Sequence, residues 1–157
     1  MALRDQFLPE YQEKGCLEAH AAGPGIGRAA SRRLKRETTV RDLVRMAKRG
    51  DSVAQEILQE AGHYLGLGLA NLVSILNPEV IVIGGGVAAA GDLILSAARQ
   101  TMRRWAQPLA LKQVRIVRSR LGARAALLGV AKLAFESHPM SGARYRVSGR
   151  SAHGSAP

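Results

Sequence analysis

Apolar positions in the first half of the chain recur at helical spacing. Residues 15–22, 28–36 and 40–49 each predict a helix, with the glycine-rich stretch 23–27 as a turn and Thr38 and Thr39 as caps for the third. Asp51 or Ser52 can cap a much longer helix. Its apolar residues lie close to four apart: Val53, Ile57, Ala61, Leu65, Leu69, Val73 and Leu76. The glycines within it, at 62, 66 and 68, lower helix propensity by about 1 kcal/mol each, so we expect another backbone to approach there.

The second half of the chain changes to strand patterning. Val80–Ile83 is a run of four β-branched residues between Pro78 and three glycines, which predicts a short strand buried on both faces. Asp92 can cap a following helix, which Pro108 ends, and residues 111–117 predict a second strand before a helix over 124–136. We expect the inward side of the helix after Asp92 to carry Leu93, Ile94, Ala97, Ala98, Met102 and Trp105.

The order strand, helix, strand, helix is a βαβ unit, which requires a parallel strand pair and indicates the α/β class. Two strands form an incomplete sheet beside a helical layer, so a partner or a further segment should complete it. Residues 1–14 show no clear period and are predicted to be irregular. Residues 137–157 are rich in Ser, Gly and Arg with little apolar content, which is typical of a disordered tail.

The composition is typical of a globular protein, and its charge favours anionic partners, although nucleic acid is not the expected partner and no membrane partner is expected. With 157 residues and 46% apolar content it can bury a core of its own. The formal charge of +11 favours nucleic acid, acidic membranes or phosphorylated small molecules. The single cysteine, Cys16, cannot form an internal disulfide, and the first residues lack the apolar run of a signal peptide, so we expect a cytoplasmic protein.

Gly84, Gly85 and Gly86 follow the central strand and are the first candidates for chemistry. Because a glycine turn admits positive φ and close approach of a ligand, it can bind a phosphate-bearing molecule, and it can equally be a tight turn. Residues 84–89 fit the dinucleotide pattern G-x-G-x-x-A, which allows an NADP-type site because the basic run Arg118, Ser119 and Arg120 stands where an acidic residue is usual. The basic stretch 28–49 can contact nucleic acid or form a solvated face, and it lacks aromatic residues that could stack on bases.

A set of motifs, taken in order, resembles one known family. They are Gly-Cys-Leu-Glu-Ala at 15–19, a glycine-spotted helix ending in Leu-Asn-Pro-Glu at 76–79, Val-Ile-Val-Ile-Gly-Gly-Gly at 80–86, and Leu-Gly-Ala-Arg-Ala-Ala-Leu-Leu-Gly-Val-Ala at 121–131. This set is similar to the ROK family of bacterial sugar kinases and sugar-responsive repressors, and the resemblance covers residues 15–136. It implies the carboxyl-terminal lobe of an actin-like, hexokinase-type (ribonuclease H-like) ATPase fold that closes on ATP, magnesium and a hexose.

The resemblance also implies roles for particular residues. Gly84, Gly85 and Gly86 would lie against the adenosine of the nucleotide. Glu18 would bind sugar hydroxyls, because one carboxylate accepts from two adjacent hydroxyls at once. Cys16 would be a remnant of the zinc site of the family. The other cysteine positions of that motif hold Pro9 and Tyr11, so a tetrahedral zinc site is not expected here.

The phosphate loops, the catalytic aspartate and the Glu-x-Gly-His sugar motif of the family are absent from this sequence. Phosphoryl transfer depends on such parts, so no catalytic residue is assigned and we expect little or no kinase activity from the chain alone. The expectation is a carboxyl-terminal portion of a glucokinase or N-acylhexosamine kinase that binds hexose and ATP when another lobe completes it. A homo-oligomer through this lobe is expected, and the alternative is a basic nucleic-acid-binding or dimerisation module.

Overall fold

A computed structural model describes residues 16–137 of the chain. In order, its elements are α1 (Leu17–Ala21), α2 (Gly23–Leu34), α3 (Val40–Lys48), α4 (Ser52–Leu76), β1 (Val80–Ile83), α5 (Gly85–Ala89), α6 (Asp92–Trp105), α7 (Pro108–Leu111), β2 (Arg115–Arg118), a 3₁₀ turn (Gly122–Arg124) and α8 (Ala125–Ser137). The predicted irregular start lies outside these residues, and so does the predicted tail except for Ser137, which belongs to α8.

The chain divides into two compact units, Met1–Ala125 and Ala126–Pro157. The first unit holds all elements from α1 to the 3₁₀ turn and the first residue of α8, and the rest of α8 is the described part of the second. A mostly helical unit with one small parallel sheet is the predicted α/β class. Within residues 16–137, no helix is both long and apolar enough to cross a membrane.

Glycine-rich residues 23–27, predicted to form a turn, instead open helix α2. Pro24 occupies the first turn of α2, where its missing N–H costs nothing. A Cβ on Gly25 would lie 2.0 Å from the carbonyl oxygen of Ala19 in α1, so only glycine allows this approach. The turn prediction was wrong because Gly25 serves a contact between helices that local sequence does not show.

Helix α3 begins with a capping box. The Thr39 side chain accepts from the backbone N–H of Asp42, and the Asp42 carboxylate accepts from the backbone N–H of Thr39. Asp42 also accepts from the Thr39 hydroxyl and pairs with Arg45. The hydrogen bond from Thr39, followed by that from Arg45, lowers the pKa of Asp42 to about 2. The predicted cap is therefore confirmed.

Helix α4 is the longest element and forms the centre of the first unit. The Asp51 side chain accepts from the backbone N–H of Ala54 at its start, and Asn77 ends it in the left-handed conformation before Pro78. Its buried residues contribute to both apolar clusters of the core. One cluster joins α4 to α2, α3 and the start of α6, and the other joins α4 to the end of α6 and the sheet.

Strands β1 and β2 pair in parallel, with Ile81 opposite Ile116 and Val82 opposite Val117. Ile81, Ile83 and Ile116 pack against the core on one face. The other face is exposed, and Val82 is 60% accessible. The prediction that β1 is buried on both faces was therefore wrong, because nothing within the described part of the first unit covers the second face.

One strand boundary and one side-chain orientation also differ from the prediction. The second strand was predicted to begin at Leu111, but Leu111 is the last residue of α7 and β2 begins only at Arg115. Helix α7 forms because Pro108 opens it and the Gln107 side chain accepts from the N–H of Ala110. Trp105, expected to face inward, is 60% exposed at the last position of α6, where Arg104 lies 5.8 Å from its ring centroid. The other expected inward positions of α6 are buried or half-buried.

Candidate functional site

The three glycines after β1 form an exposed turn into α5. Gly84 is extended and precedes the helix, whereas Gly85 has φ of +71°, which disfavours any other residue. A Cβ on Gly85 or Gly86 would meet no atom within 4 Å. The outer surface of this turn is therefore open to a ligand, and positive φ is needed at Gly85 alone.

Ser119 brings the end of β2 beside this turn. The backbone N–H of Ser119 donates to the carbonyl oxygen of Ile83 at 2.8 Å. A Cβ on Gly84 would lie 3.8 Å from the Cβ of Ser119. The Ser119 hydroxyl accepts from the backbone N–H of Leu121 at 3.3 Å. Carboxyl ends of neighbouring parallel strands are the usual ligand edge of an open α/β sheet. Sequence reasoning named Ser119 only within a basic run, although parallel pairing already implied that it lies beside the glycines.

Arg118 lies at the same edge and reaches toward the start of α6. A Cβ on Gly91, whose φ is +61°, would lie 3.1 Å from Nη1 of Arg118. The glycine turn thus leads into the short helix α5 and a break at Gly91 before α6 begins. A dinucleotide fingerprint opens one continuous helix that packs on the strand, so this arrangement does not favour an NADP-type site.

Glu18 lies in the first turn of α1, on a different element from the glycine turn. Its side chain is exposed, and its carboxylate has no hydrogen bond or ion pair among residues 16–137. Two contacts hold α1 on α4. The Leu17 side chain fills the space above Gly68, where a Cβ would lie 2.5 Å from Cδ2, and His20 stacks on Tyr64 with ring centroids 4.2 Å apart. These contacts present Glu18 to solvent as an available acceptor.

Cys16 is the half-buried residue that precedes α1, and its side chain does not cap the helix. No group of three His, Cys, Asp or Glu side chains that could hold a metal ion occurs in the described part of the chain. The other positions compared with the zinc motif, Pro9 and Tyr11, lie outside those residues.

A small cavity lies between α1, α2 and α4. His20 and Tyr64 line one side, Arg28 and Arg32 another, and the volume is about 130 Å³. Sequence reasoning missed this cavity, because the ring stack joins residues far apart in the chain. The sequence shows only that Arg28 and Arg32 are four residues apart in one helix.

A profile of the ROK family matches residues 12–137. The chain belongs to the ROK family. A glucokinase of Streptomyces coelicolor is 30% identical over 155 residues, covering 87% of this ROK chain and 49% of the glucokinase. The DNA-binding transcriptional dual regulator NagC of Escherichia coli is 30% identical over 122 residues, covering 72% of this chain and 30% of NagC.

Solved ROK structures have the same fold over most of this chain. A ROK hexokinase from Thermus thermophilus matches with a TM-score of 0.60 and 37% identity, covering 78% of this chain and 42% of its own. A ROK family glucokinase from Streptomyces griseus, solved with glucose and AMPPNP, matches with a TM-score of 0.67 and 28% identity, covering 76% of this chain and 44% of the glucokinase. The ROK chain described here thus spans half or less of the length of each of these relatives.

Proposed function

We propose that this chain is the carboxyl-terminal lobe of an ATP-dependent ROK sugar kinase with an actin-like fold, and that Gly84, Gly85 and Gly86 bind the adenosine of ATP. The observation that carries the proposal is the exposed glycine turn at the carboxyl end of a parallel strand, in a chain similar to a glucokinase solved with glucose and AMPPNP. A surface without Cβ atoms lets a flat base or ribose lie against the backbone.

The nucleotide would lie along the edge formed by the glycine turn and Ser119. The Ser119 hydroxyl can donate to a ribose or phosphate oxygen while it still accepts from Leu121. Arg118 and Arg120 add positive charge at the same strand end, which attracts the triphosphate. Magnesium would come with the triphosphate.

Glu18 is the proposed sugar ligand. An exposed carboxylate without a protein partner in the described residues can accept hydrogen bonds from two adjacent hydroxyls of a hexose, such as glucose or an N-acylated hexosamine. Cys16 is at most a remnant of a zinc site. The proposed roles of this lobe are to bind and orient, and the groups that drive phosphoryl transfer belong to another lobe, so the chain alone would have little kinase activity. We further propose that the protein is cytoplasmic and that it self-associates through this lobe.

A second candidate is the sugar-sensing lobe of a transcriptional regulator. The similarity to NagC favours it, because the match covers 72% of this chain. In that case Glu18 would still bind sugar, whereas the glycine turn would not need to bind ATP. Nucleotide binding therefore separates the two candidates.

Binding of MgATP to the 157-residue chain, followed by saturation-transfer NMR, tests the nucleotide site. We expect saturation to be transferred from the protein to the adenine protons of ATP. We expect Gly86→Val to abolish this transfer, because the valine side chain would project into the open surface without a clash inside the protein. Gly23→Val is the matched control, since a Cβ at Gly23 also meets nothing within 4 Å but lies at the start of α2. Absence of transfer, or equal loss in both variants, would contradict the site.

The catalytic part of the proposal concerns the gene product as the cell makes it. An antibody to residues 124–136 would capture that product for intact-mass measurement and for an assay of ATP-dependent glucose phosphorylation. Phosphorylating activity in the captured material supports a sugar kinase. Sugar binding without phosphorylation or nucleotide binding would support the regulator instead.

A further inference from the structure

The cavity between α1, α2 and α4 has the chemistry of an anion site that the proposed sugar kinase function does not use. Arg28 and Arg32 are four residues apart on α2 and therefore lie on the same face of that helix. Neither guanidinium makes an ion pair or a side-chain hydrogen bond within residues 16–137, whereas Arg33 beside them pairs with Glu56 at 2.7 Å. Two exposed arginines without an ion pair among the described residues thus line one small cavity.

The remaining walls of the cavity are mostly neutral. Ile26, Ile57 and Ala61 are buried and form an apolar floor, and the stacked rings of His20 and Tyr64 close one side. Arg28 and Arg32 are themselves exposed, but an anion that lies against this apolar floor is less screened by water than one on an open surface, so their charge acts more strongly on it.

Among the described residues that line the cavity, Glu60 is the only acidic one. Its carboxylate is partly neutralised by Arg33, whose Nη1 lies 3.6 Å from Oε2. Arg28 and Arg32 together therefore outweigh this one carboxylate, and the cavity has a net positive charge.

The volume limits what can bind. A cavity of about 130 Å³ is well below the roughly 300 Å³ at which pockets for drug-sized ligands begin, so a nucleotide does not fit inside it. The planar guanidinium is the side chain best suited to bind phosphate oxygens in pairs. His20 and Tyr64, whose rings stack on each other, line the same cavity, so a sugar attached to a bound phosphoryl group would lie close to them.

From these features we propose that the cavity binds the phosphoryl group of a small phosphate or phosphate monoester. His20 and Glu18 lie on the same five-residue helix, so occupation of the cavity fixes the helix that carries the proposed sugar ligand. The anion site itself requires neither the glycine turn nor Glu18. It therefore holds or fails independently of the proposed kinase function.

The test is a titration of the 157-residue chain with inorganic phosphate at constant ionic strength, followed by NMR of the His20 and Tyr64 ring signals. We expect saturable shifts of both rings, and at least a tenfold loss of affinity in the Arg28→Gln/Arg32→Gln double variant. Arg41→Gln and Arg103→Gln, combined, are the control, because they remove the same charge from exposed positions of α3 and α6. Glu60→Gln should tighten binding severalfold.

The source of the phosphoryl group is tested in parallel arms with glucose 6-phosphate and with glucose. Tighter binding of glucose 6-phosphate than of phosphate identifies a sugar phosphate as the ligand, and equal binding identifies free phosphate. Either result supports the site. It is overturned by absence of ring shifts, by equal loss in the control variant, or by weaker binding in Glu60→Gln.

Discussion

Gly62 of α4 and Ile94 of α6 meet through their backbones. A Cβ on Gly62 would lie 2.5 Å from the carbonyl oxygen of Ile94. One turn further along α4, a Cβ on Gly66 would lie 2.6 Å from the carbonyl oxygen of Ala98. The two helices therefore run in parallel with their backbones in direct contact. The predicted approach of another backbone is confirmed at Gly62 and Gly66 and was wrong at Gly68, where the neighbour is the side chain of Leu17.

Gly66→Ala should destabilise the protein, because the new methyl group meets a backbone oxygen that cannot move without shifting α6. Overpacking costs about 1–3 kcal/mol, which outweighs the gain of up to about 1 kcal/mol in helix propensity. Urea unfolding followed by circular dichroism measures the difference. Gly86→Ala is the control, since a Cβ there meets nothing within 4 Å, and its stability should be unchanged or higher. Equal effects of the two substitutions would contradict the close packing.

Gly68→Ala should loosen α1 with a smaller loss of stability than Gly66→Ala. Its Cβ would lie 2.5 Å from Cδ2 of Leu17, which is the far end of a flexible side chain and can rotate away. Hydrogen exchange of the α1 amides should therefore become faster, while exchange in α3 stays unchanged. Unchanged protection in α1 would show that Leu17 does not hold this helix.

Acid should remove the contribution of Asp42 to stability. Because its pKa is lowered from 3.8 to about 2 in the folded protein, ionised Asp42 stabilises the fold above pH 3.8, and this stabilisation is lost as pH falls through about 2. The difference in unfolding free energy between the protein and Asp42→Asn should be constant above pH 5 and should shrink toward pH 2. A difference that is independent of pH would contradict the capping contribution. Thr39→Ala removes the side chain that hydrogen-bonds the Asp42 carboxylate. In that variant, the stabilisation by ionised Asp42 should therefore be smaller and should change less with pH.

Substitutions on the two faces of β1 should differ in cost. Val82→Thr changes a side chain that is 60% exposed, so the expected effect is within about 0.5 kcal/mol. Ile81→Thr places a hydroxyl against the core beside Ile116 and should cost about 1–3 kcal/mol. Chemical denaturation measures both changes. A large loss in Val82→Thr would mean that the exposed face is covered in solution, which sedimentation velocity can then trace to self-association.

Local signals predicted much of the fold. Thr39 and Asp51 cap their helices through their own side chains, so a few neighbouring residues were enough to place both helix starts. The order of strands and helices also predicted the parallel pair correctly. The start of α2 could not be predicted in this way, because the reason for Gly25 is a carbonyl oxygen of another helix.

The candidate sites show the same division. The glycine turn follows from a strand that ends in three glycines, and the structure adds that Ser119 lies beside it. The exposure of Val82 could not be predicted, because β-branched residues indicate only that a face suits burial, whereas actual burial depends on what packs against it. The His20–Tyr64 stack depends on the packing of α1 against α4, for which the sequence carries no local signal.

The glycine contacts between α4 and α6 limit how the parts of this unit can rearrange. With backbone on backbone at two successive turns, neither helix can slide along the other without a collision at Ile94 or Ala98. Helix α1, with Glu18, rests on α4, and the break at Gly91 joins α6 to the glycine turn. The α4–α6 pair therefore keeps its own geometry, and any closure around a substrate would have to bend the chain outside this helix pair.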